Sequence, residues 1–364
     1  MIARPLLRSP TVYGVESGRG HVLRRSIHIF RDVADVRRRR RGLQQGGETV
    51  GLVPTMGALH EGHMSLVRAA ARENSSVFVS IYVNPTQFGL HEDLDSYPKT
   101  WESDMAKLHE LQKELKVTQK ETGQGYGRIE AVFAPTTKTM YPTTPPDSSI
   151  PGQGSFVTIT PLGNLLEGKS RPVFFRGVAT VCMKLFNIVQ ADRVYFGQKD
   201  VQQTVVIRRL VEDFHLGCEV RILPTEREAS GLARSSRNAY LGSRRREAGL
   251  VLYKALDKAQ QAYHEGATKR NDVLTHAWAE INARQQAQEV KPPTERAMFE
   301  VDYVSLADPD TMEEVDNVDV SKGAVLSGAI KMLPLEATRE GEMLGLGDDK
   351  VPVRLIDNFI LPAR

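Results

Sequence analysis

Cysteine is almost missing: the chain has two in 364 residues, which excludes a disulfide scaffold and fits a reducing compartment. No apolar run reaches the ~18 residues that a membrane-spanning helix needs. A dominant charge sign is missing as well. Lys and Arg number 48 against 45 Asp and Glu, a net charge of +3, too balanced for a protein that coats nucleic acid. There is no internal repeat. What the chain does have is an ordinary globular composition, 40% hydrophobic and 26% charged, which argues against wholesale disorder. At roughly 150 residues per domain, its length suggests two domains, with three as the upper count.

Residues 1–26 stand apart. They carry Arg4, Arg8, Arg19, Arg24 and Arg25 against one acid, Glu16, a composition shared by organellar leaders and by untethered basic tails. Both readings stay open; the cytoplasm is the expected location, with mitochondria the alternative. Residues 37–41 are five consecutive arginines after a helical start in which Asp32 can cap and Val33 and Val36 share a face. No aromatic residue interleaves with them to stack on bases. The run therefore reads as a solvated helix face.

From residue 49 the pattern is strand, helix, strand. Residues 49–54 are apolar and β-prone, 55–57 form a turn, and helical spacing begins near Gly62. A second strand at 76–83 ends at Asn84 and Pro85. Short connections of this kind imply a parallel βαβ unit. Further strands are predicted at 131–133 and 194–196, with a buried helix at 177–189 between them. Residues 119–128 read as a flexible surface insertion. The C-terminal part changes character. Residues 244–288 are alanine-rich with helical spacing, while 299–304, 323–330 and a shorter 353–356 read as strands. A loop rich in Glu and Gly, 334–350, precedes that last strand. The fold class is α/β to about residue 225, followed by a smaller α+β domain.

The most informative segment runs Pro54-Thr55-Met56-Gly57-Ala58-Leu59-His60-Glu61-Gly62-His63. Ligands of parallel sheets bind at the carboxyl ends of the strands. Here a strand ends against a helix N-terminus, whose free N–H groups favour phosphate. Two histidines three residues apart can both face a triphosphate, and Gly57 and Gly62 let the backbone come close. The plain alternative is a pair of surface histidines capping a helix. A zinc-protease reading fails, because that motif needs two residues between the glutamate and the second histidine and this segment has only Gly62.

This segment resembles the signature of the nucleotidyltransferase superfamily, and in its extended form that of the pantothenate synthetase (pantoate–β-alanine ligase) family. Further blocks fall in that family's order. They are Val83-Asn84-Pro85-Thr86-Gln87-Phe88; Arg171-Pro172 with Phe175-Arg176-Gly177-Val178; Phe196-Gly197-Gln198-Lys199-Asp200 with Gln203; and Ser235-Ser236-Arg237-Asn238. Arg354-Leu355-Ile356-Asp357-Asn358 closes the chain in the family's manner, and the similarity extends from about residue 29 to the C-terminus.

The resemblance implies a Rossmann-like parallel-sheet domain over 27–225, an α+β lid domain over 226–364 and an active site between them. It implies ATP-dependent joining of pantoate and β-alanine through a pantoyl adenylate, releasing pyrophosphate and AMP. His60, His63, Lys199, Ser235, Ser236 and Arg237 would be the catalytic groups. With Met56, Gly57, Gly62, Gly197, Asp200 and Arg234 they would bind ATP, while Asn84, Gln87 and Gln203 would hold pantoate and β-alanine. Mg²⁺ would be carried by the ATP phosphates, with no protein side chain as its main ligand, although Asp200 could assist. A homodimer is also implied, with no nucleic-acid or membrane partner.

Departures from the family are Gln198 for a common glutamate, Val173-Phe174 for Gly-His, and Glu226 and Arg234 at apolar positions on the adenine side. The segments near 115–128 and 334–350 read as surface additions. Asp93, Asp95 and Tyr97 follow the Gln87 loop closely enough to line a lid.

A second phosphate pattern needs separate treatment. Gly163-Asn164-Leu165-Leu166-Glu167-Gly168-Lys169-Ser170 satisfies the P-loop spacing and follows a strand-like stretch at 155–160. Two leucines and a glutamate are poor lining for a phosphate cradle, and Pro172 interrupts the helix that should follow. It reads as a connecting loop with Arg171 and Arg176 near the pocket. Were it a true P-loop, the protein would be a kinase releasing ADP. The other competing class is an RNA-binding or tRNA-charging protein, which would require steeply salt-dependent RNA affinity. Cys182 and Cys218 are expected in the core. His91, His109, His215, His264 and His276 lack ligand-like spacing, and Trp101 and Trp278 carry no readable function.

Overall fold

The computed structural model describes residues 26–89, 94, 97–143, 145–149 and 152–364. The basic leader to residue 25, His91, Asp93 and Asp95 lie outside them. Six parallel strands form the first sheet: β1 (His28–Phe30), β2 (Val50–Thr55), β3 (Ser76–Ile81), β4 (Arg128–Phe133), β5 (Arg193–Gly197) and β6 (Glu219–Leu223), in the order β1-β4-β3-β2-β5-β6. From β2 the chain builds outward through β3 to β4, then returns to place β5 and β6 on the other side. The order reverses between β2 and β5, which opens a crevice at their carboxyl ends.

The central strands are apolar because both faces of the sheet are covered. Helices α1 (Val33–Gln45), α6 (Phe174–Val189) and α7 (Val201–Asp213) pack on one face, and α2 (Glu61–Glu73) and α3 (Trp101–Thr122) on the other. Two single turns, α4 (Thr137–Met140) and α5 (Glu167–Ser170), lie between β4 and α6. A second sheet is an antiparallel meander of β7 (Phe299–Ala307), β8 (Ala324–Met332) and β9 (Val353–Leu361). It carries its own core against α8 (Ser243–His264) and α9 (Arg270–Glu289).

Several expectations are corrected. Asp32 does cap α1, accepting the Asp35 N–H at 2.9 Å, but the arginine run is not uniformly solvated. Arg40 is buried, donating to the Gln190 carbonyl at 2.8 Å and pairing with Asp192. Asp192 in turn accepts the Val50 N–H at 2.6 Å, so this arginine anchors the start of β2. Residues 119–122 finish α3, Gly123 ends it at φ +67°, and Arg128 opens β4; the insertion shrinks to a short connection. Residues 155–160 form no strand and belong to neither sheet. β9 extends five residues beyond the expected 353–356, and Cys218 is only half-buried while Cys182 is buried.

Candidate active site

Two adjacent strands, β2 and β5, each hand over to a helix at the crevice, so two helix N-termini converge there. At the first, Gly57 at φ +84° and Ala58 at φ +50° turn the chain. Buried Asp104, in the first turn of α3, accepts the Ala58 N–H at 2.9 Å and the Leu59 N–H at 2.7 Å. The Lys107 ammonium donates to the Leu59 carbonyl. These two α3 residues hold the histidine loop, and nothing in their sequence surroundings announced it.

His60 is the N-cap of α2, and its Nδ1 accepts the Gly62 N–H at 3.1 Å. His63 Nδ1 accepts the His60 N–H at 3.3 Å. The ring centroids lie 4.1 Å apart. Because each Nδ1 is an acceptor, each neutral ring carries its proton on Nε2. Burial, then His63 and Lys199, pull the His60 pKa down to about 3. Burial, then Lys199 and Lys107, pull that of His63 down to about 4. At neutral pH the corner offers two uncharged N–H donors, a form that survives beside cations and helix N-termini. Gly62 is required here, since a Cβ would sit 2.9 Å from the His60 ring.

At the second strand end, Lys199 and Asp200 occupy the turn before α7, with Lys199 Nζ 3.5 Å from Asp200 Oδ1. That turn is held from the other sheet. Asn358 on β9 donates to the carbonyls of Gln198 and Lys199 at 2.9 and 2.8 Å and accepts from Gln198 Nε2 at 3.2 Å. The neutral Gln198 thus has a partner a glutamate could not donate to.

Met56, His60, Gly62, His63, Asn84, Gln87, Gly197, Lys199, Asp200, Gln203, Arg234, Ser235, Ser236 and Arg237 all line one cleft. Gly57 is the exception among the expected residues; it lies behind the loop, 3.2 Å from Asp104 through a would-be Cβ. Its role is the turn. Glu226 lines the cleft too, and its carbonyl accepts the Arg234 N–H at 2.9 Å across a narrow hairpin. Ser235 Oγ accepts the Arg237 N–H at 3.2 Å, setting up the short 3₁₀ turn Ser236–Tyr240.

Asn84 is saturated by protein. Its amide donates to Gln87 Oε1 and the Gly177 carbonyl, both at 3.1 Å, and its oxygen accepts from Tyr141 at 2.7 Å. It therefore fixes Gln87. α6 approaches that loop so closely that a Cβ on Gly177 would sit 2.5 Å from the Gln87 backbone. Of the three residues expected to line a lid, Tyr97 lies among the described residues. It packs edge-on to Phe88 and lies 3.4 Å from Ser236 Oγ.

The P-loop look-alike does not contribute a cradle. Lys169 is exposed and does not line the cleft. The two glycines let the loop touch itself: a Cβ on Gly168 would lie 2.1 Å from the Gly163 carbonyl oxygen. Glu167 is buried and pairs with Arg171 at 3.3 Å and Arg354 at 2.9 Å, and Arg354 also holds Asp302 at 2.7 Å. Arg171 lines the cleft with its guanidinium over Phe174. Arg176 turns away to Phe156 and the Ser149 carbonyl.

Comparison with known proteins points one way. A family model described as pantoate-beta-alanine ligase matches residues 28–360. Pantothenate synthetase of Roseiflexus castenholzii is 44% identical over 314 residues, 86% of this chain and 93% of that protein. That of Koribacter versatilis is 38% identical over 338 residues, 93% and 97% of the two chains. A solved pantothenate synthetase from Thermus thermophilus superposes with a TM-score of 0.70 at 34% identity, over 92% of this chain and 99% of that one. The ligase of Francisella tularensis, solved with a β,γ-ATP compound and β-alanine, gives 0.62 at 28% identity over 92% and 98%.

Proposed function

Since the chain belongs to the pantoate–β-alanine ligase family, condensing pantoate with β-alanine at the expense of ATP, we propose that both half-reactions take place in the cleft between the two sheets. The observation that carries this is the convergence of two helix N-termini, two neutral imidazoles and Lys199 on one crevice. In the first half-reaction the pantoate carboxylate attacks the α-phosphorus and pyrophosphate leaves. Charge builds on the phosphate oxygens of the pentacovalent transition state, and fixed donors aimed at that charge lower the barrier. His60 and His63 supply N–H groups from the strand-end corner, Lys199 supplies a full charge, and Ser235, Ser236 and Arg237 close from the opposite side.

Gln87 and Gln203 hold pantoate by amide hydrogen bonds, with Asn84 orienting Gln87. Neutral amides match hydroxyl and carboxylate groups and do not compete as nucleophiles. The apolar wall of Met56, Phe174, Val178 and Val181 suits the two methyl groups of pantoate. In the second half-reaction the β-alanine amine attacks the acyl carbon, the C–N bond forms, and the C–O bond to AMP breaks. The mixed anhydride is already activated, so proximity suffices.

Among the described residues no group of three or more His, Cys, Asp or Glu side chains is placed to hold a metal. Asp200, beside Lys199, would assist Mg²⁺ carried chiefly by the phosphate oxygens. Bound there, it would neutralise phosphate charge. The division into an ATP- and pantoate-binding domain at 27–225 and a lid domain at 226–364, the homodimer and the cytoplasmic location belong to the same proposal. No helix among the described residues is long and apolar enough to cross a membrane.

Product analysis tests the proposal. ATP with pantoate alone should release pyrophosphate, and adding β-alanine should yield AMP equal to the pantothenate formed. ADP as the nucleotide product would overturn it.

A further inference from the structure

The connection between β8 and β9, residues 333–352, contains no helix or strand and has the composition of a solvated loop. Two of its acids are nevertheless almost wholly buried, Glu342 at 6% exposure and Asp349 at 3%. They are the counter-charges of consecutive arginines at the start of α8: Glu342 for Arg244 and Asp349 for Arg245, the latter at 0% exposure. Taking charges out of water is costly unless their geometry is fixed by further bonds, and those bonds are present. Arg244 donates to the Ala337 carbonyl at 2.8 Å, Arg245 to the Val351 carbonyl at 3.0 Å, and Asp349 accepts the Leu335 N–H. Joining two antiparallel strands requires none of this.

Between its anchors the segment lies on the end of the turn that carries Ser236 and Arg237. The Leu346 N–H donates to the Ala239 carbonyl at 2.8 Å, the Ser243 N–H donates to the Met343 carbonyl at 3.2 Å, and Arg245 donates to the Tyr240 carbonyl at 2.7 Å. The last carbonyls of a 3₁₀ turn have no partner within it, and here those of Ala239 and Tyr240 are capped from outside. Gly345 makes the approach possible. It sits at φ +81°, and a Cβ there would be 2.7 Å from the Tyr240 carbonyl carbon.

We propose that residues 334–350 form a strap that sets the position of the phosphate-binding turn, with Glu342, Gly345 and Asp349 as positioning residues for ATP. The inference rests on the reading of Ser235, Ser236 and Arg237 as phosphate ligands. A strap fixed to α8 by two buried ion pairs holds the carbonyl end of the turn, so the serine and arginine ends start from one orientation before nucleotide arrives.

Two glycines of the same segment provide the test. Gly345→Ala introduces a Cβ against Tyr240, while Gly341→Ala introduces one at φ +73° with nothing within 4 Å. Both strain the backbone; only the first lifts the strap off the turn. In the full-length enzyme Gly345→Ala should raise the KM for ATP about tenfold, within the roughly 10²-fold that a misplacement of about 1 Å can cost at a reacting site. The KM for pantoate should change less than about twofold, and Gly341→Ala should leave both constants at wild-type values. Amide hydrogen exchange at Asn238 and Leu241, which close the turn through the Ser235 and Asn238 carbonyls, should quicken in Gly345→Ala alone. If that variant does not fold, Glu342→Gln takes its place with the same expectations. An unchanged ATP KM in the folded variant, or an equal rise in Gly341→Ala, would overturn the proposal. Ser236→Ala and Arg237→Ala separate the two readings. If they too leave the ATP KM unchanged, the phosphate assignment fails; if they weaken ATP and Gly345→Ala does not, only the strap fails.

Discussion

Two segments of this chain match phosphate-binding patterns, 54–63 and 163–170, and the fold treats them in opposite ways. The first follows a central strand of a parallel sheet and opens a thirteen-residue helix. Its histidines and Gly62 face a crevice made by the reversal in strand order, while Gly57 turns the chain behind them. The second follows no strand and runs into a single turn of helix. Its glycines serve self-contact, its glutamate serves an ion network, and its lysine faces water. A phosphate cradle is a property of where backbone N–H groups point, and residue spacing reports that only when a strand precedes and a helix follows. The leucines around the second segment, Leu162 and Leu166, are buried in the core that also holds the apolar face of α6.

The largest effect should come from the first segment. His63→Ala removes a neutral donor aimed at developing charge, and loss of one such donor lowers kcat by about 10²–10³. Pyrophosphate release from ATP and pantoate is the measurement, with urea unfolding as the control for an intact fold. Near-wild-type turnover would mean that the two segments differ in shape only, with neither serving the chemistry.

The second segment should respond in stability. Glu167→Gln keeps the shape but leaves Arg171 and Arg354 short of a buried counter-charge, and breaking such a pair costs about 3 kcal/mol. Arg354 retains Asp302, which places the expectation at the lower end of the range. A urea midpoint within error of wild type would show that the buried network is replaced by water at no cost.

These contrasts also mark how much of the molecule the sequence discloses. β2, α2 and β3 are legible because strands covered on both faces must be continuous apolar runs. α3 is not, because its buried Met105, Leu108, Leu111 and Leu115 are diluted over twenty-two largely polar residues. Its Asp104 acts on a loop forty-five residues away. β6 is half-buried at a sheet edge, where alternation fades. The far half of β9 is hidden by Asp357 and Asn358, polar residues that read as a strand end. Both are buried and engaged, Asp357 with Arg227 and Asn358 with the Lys199 turn. Site residues on the βα corners could be named from spacing; those that hold the corners in place come from distant elements, and no local pattern marks them.

A smaller effect distinguishes the histidine corner by pH. Both imidazoles titrate lower in the folded protein, at about 3 and about 4, than the ordinary 6.5. Between those values the unfolded chain binds more protons, so stability is level above about pH 6.5 and falls as pH drops toward about 4. The urea midpoint of the wild type should therefore fall more steeply between about pH 7 and about pH 5 than that of a His60→Gln, His63→Gln double variant. Parallel slopes would show that the two rings are not held neutral by the fold.

The smallest effect is the most discriminating for the comparison. Lys169→Ala alters the residue that a P-loop would use to bind phosphate, and in such a loop its loss would strip charge from the nucleotide and weaken ATP severely. Here the Lys169 side chain is exposed and does not line the cleft, although Glu167 of the same four-residue helix does, and substitutions of exposed side chains away from a site usually change stability by less than about 0.5 kcal/mol. The KM for ATP, kcat and the urea midpoint should all stay at wild-type values in Lys169→Ala, while Lys199→Ala, at the end of β5, should lose turnover. If instead Lys169→Ala weakened ATP as much as Lys199→Ala, the nucleotide would have to reach a loop whose own carbonyl and glycine fill the space a phosphate needs, and the assignment of the two segments would have to be exchanged.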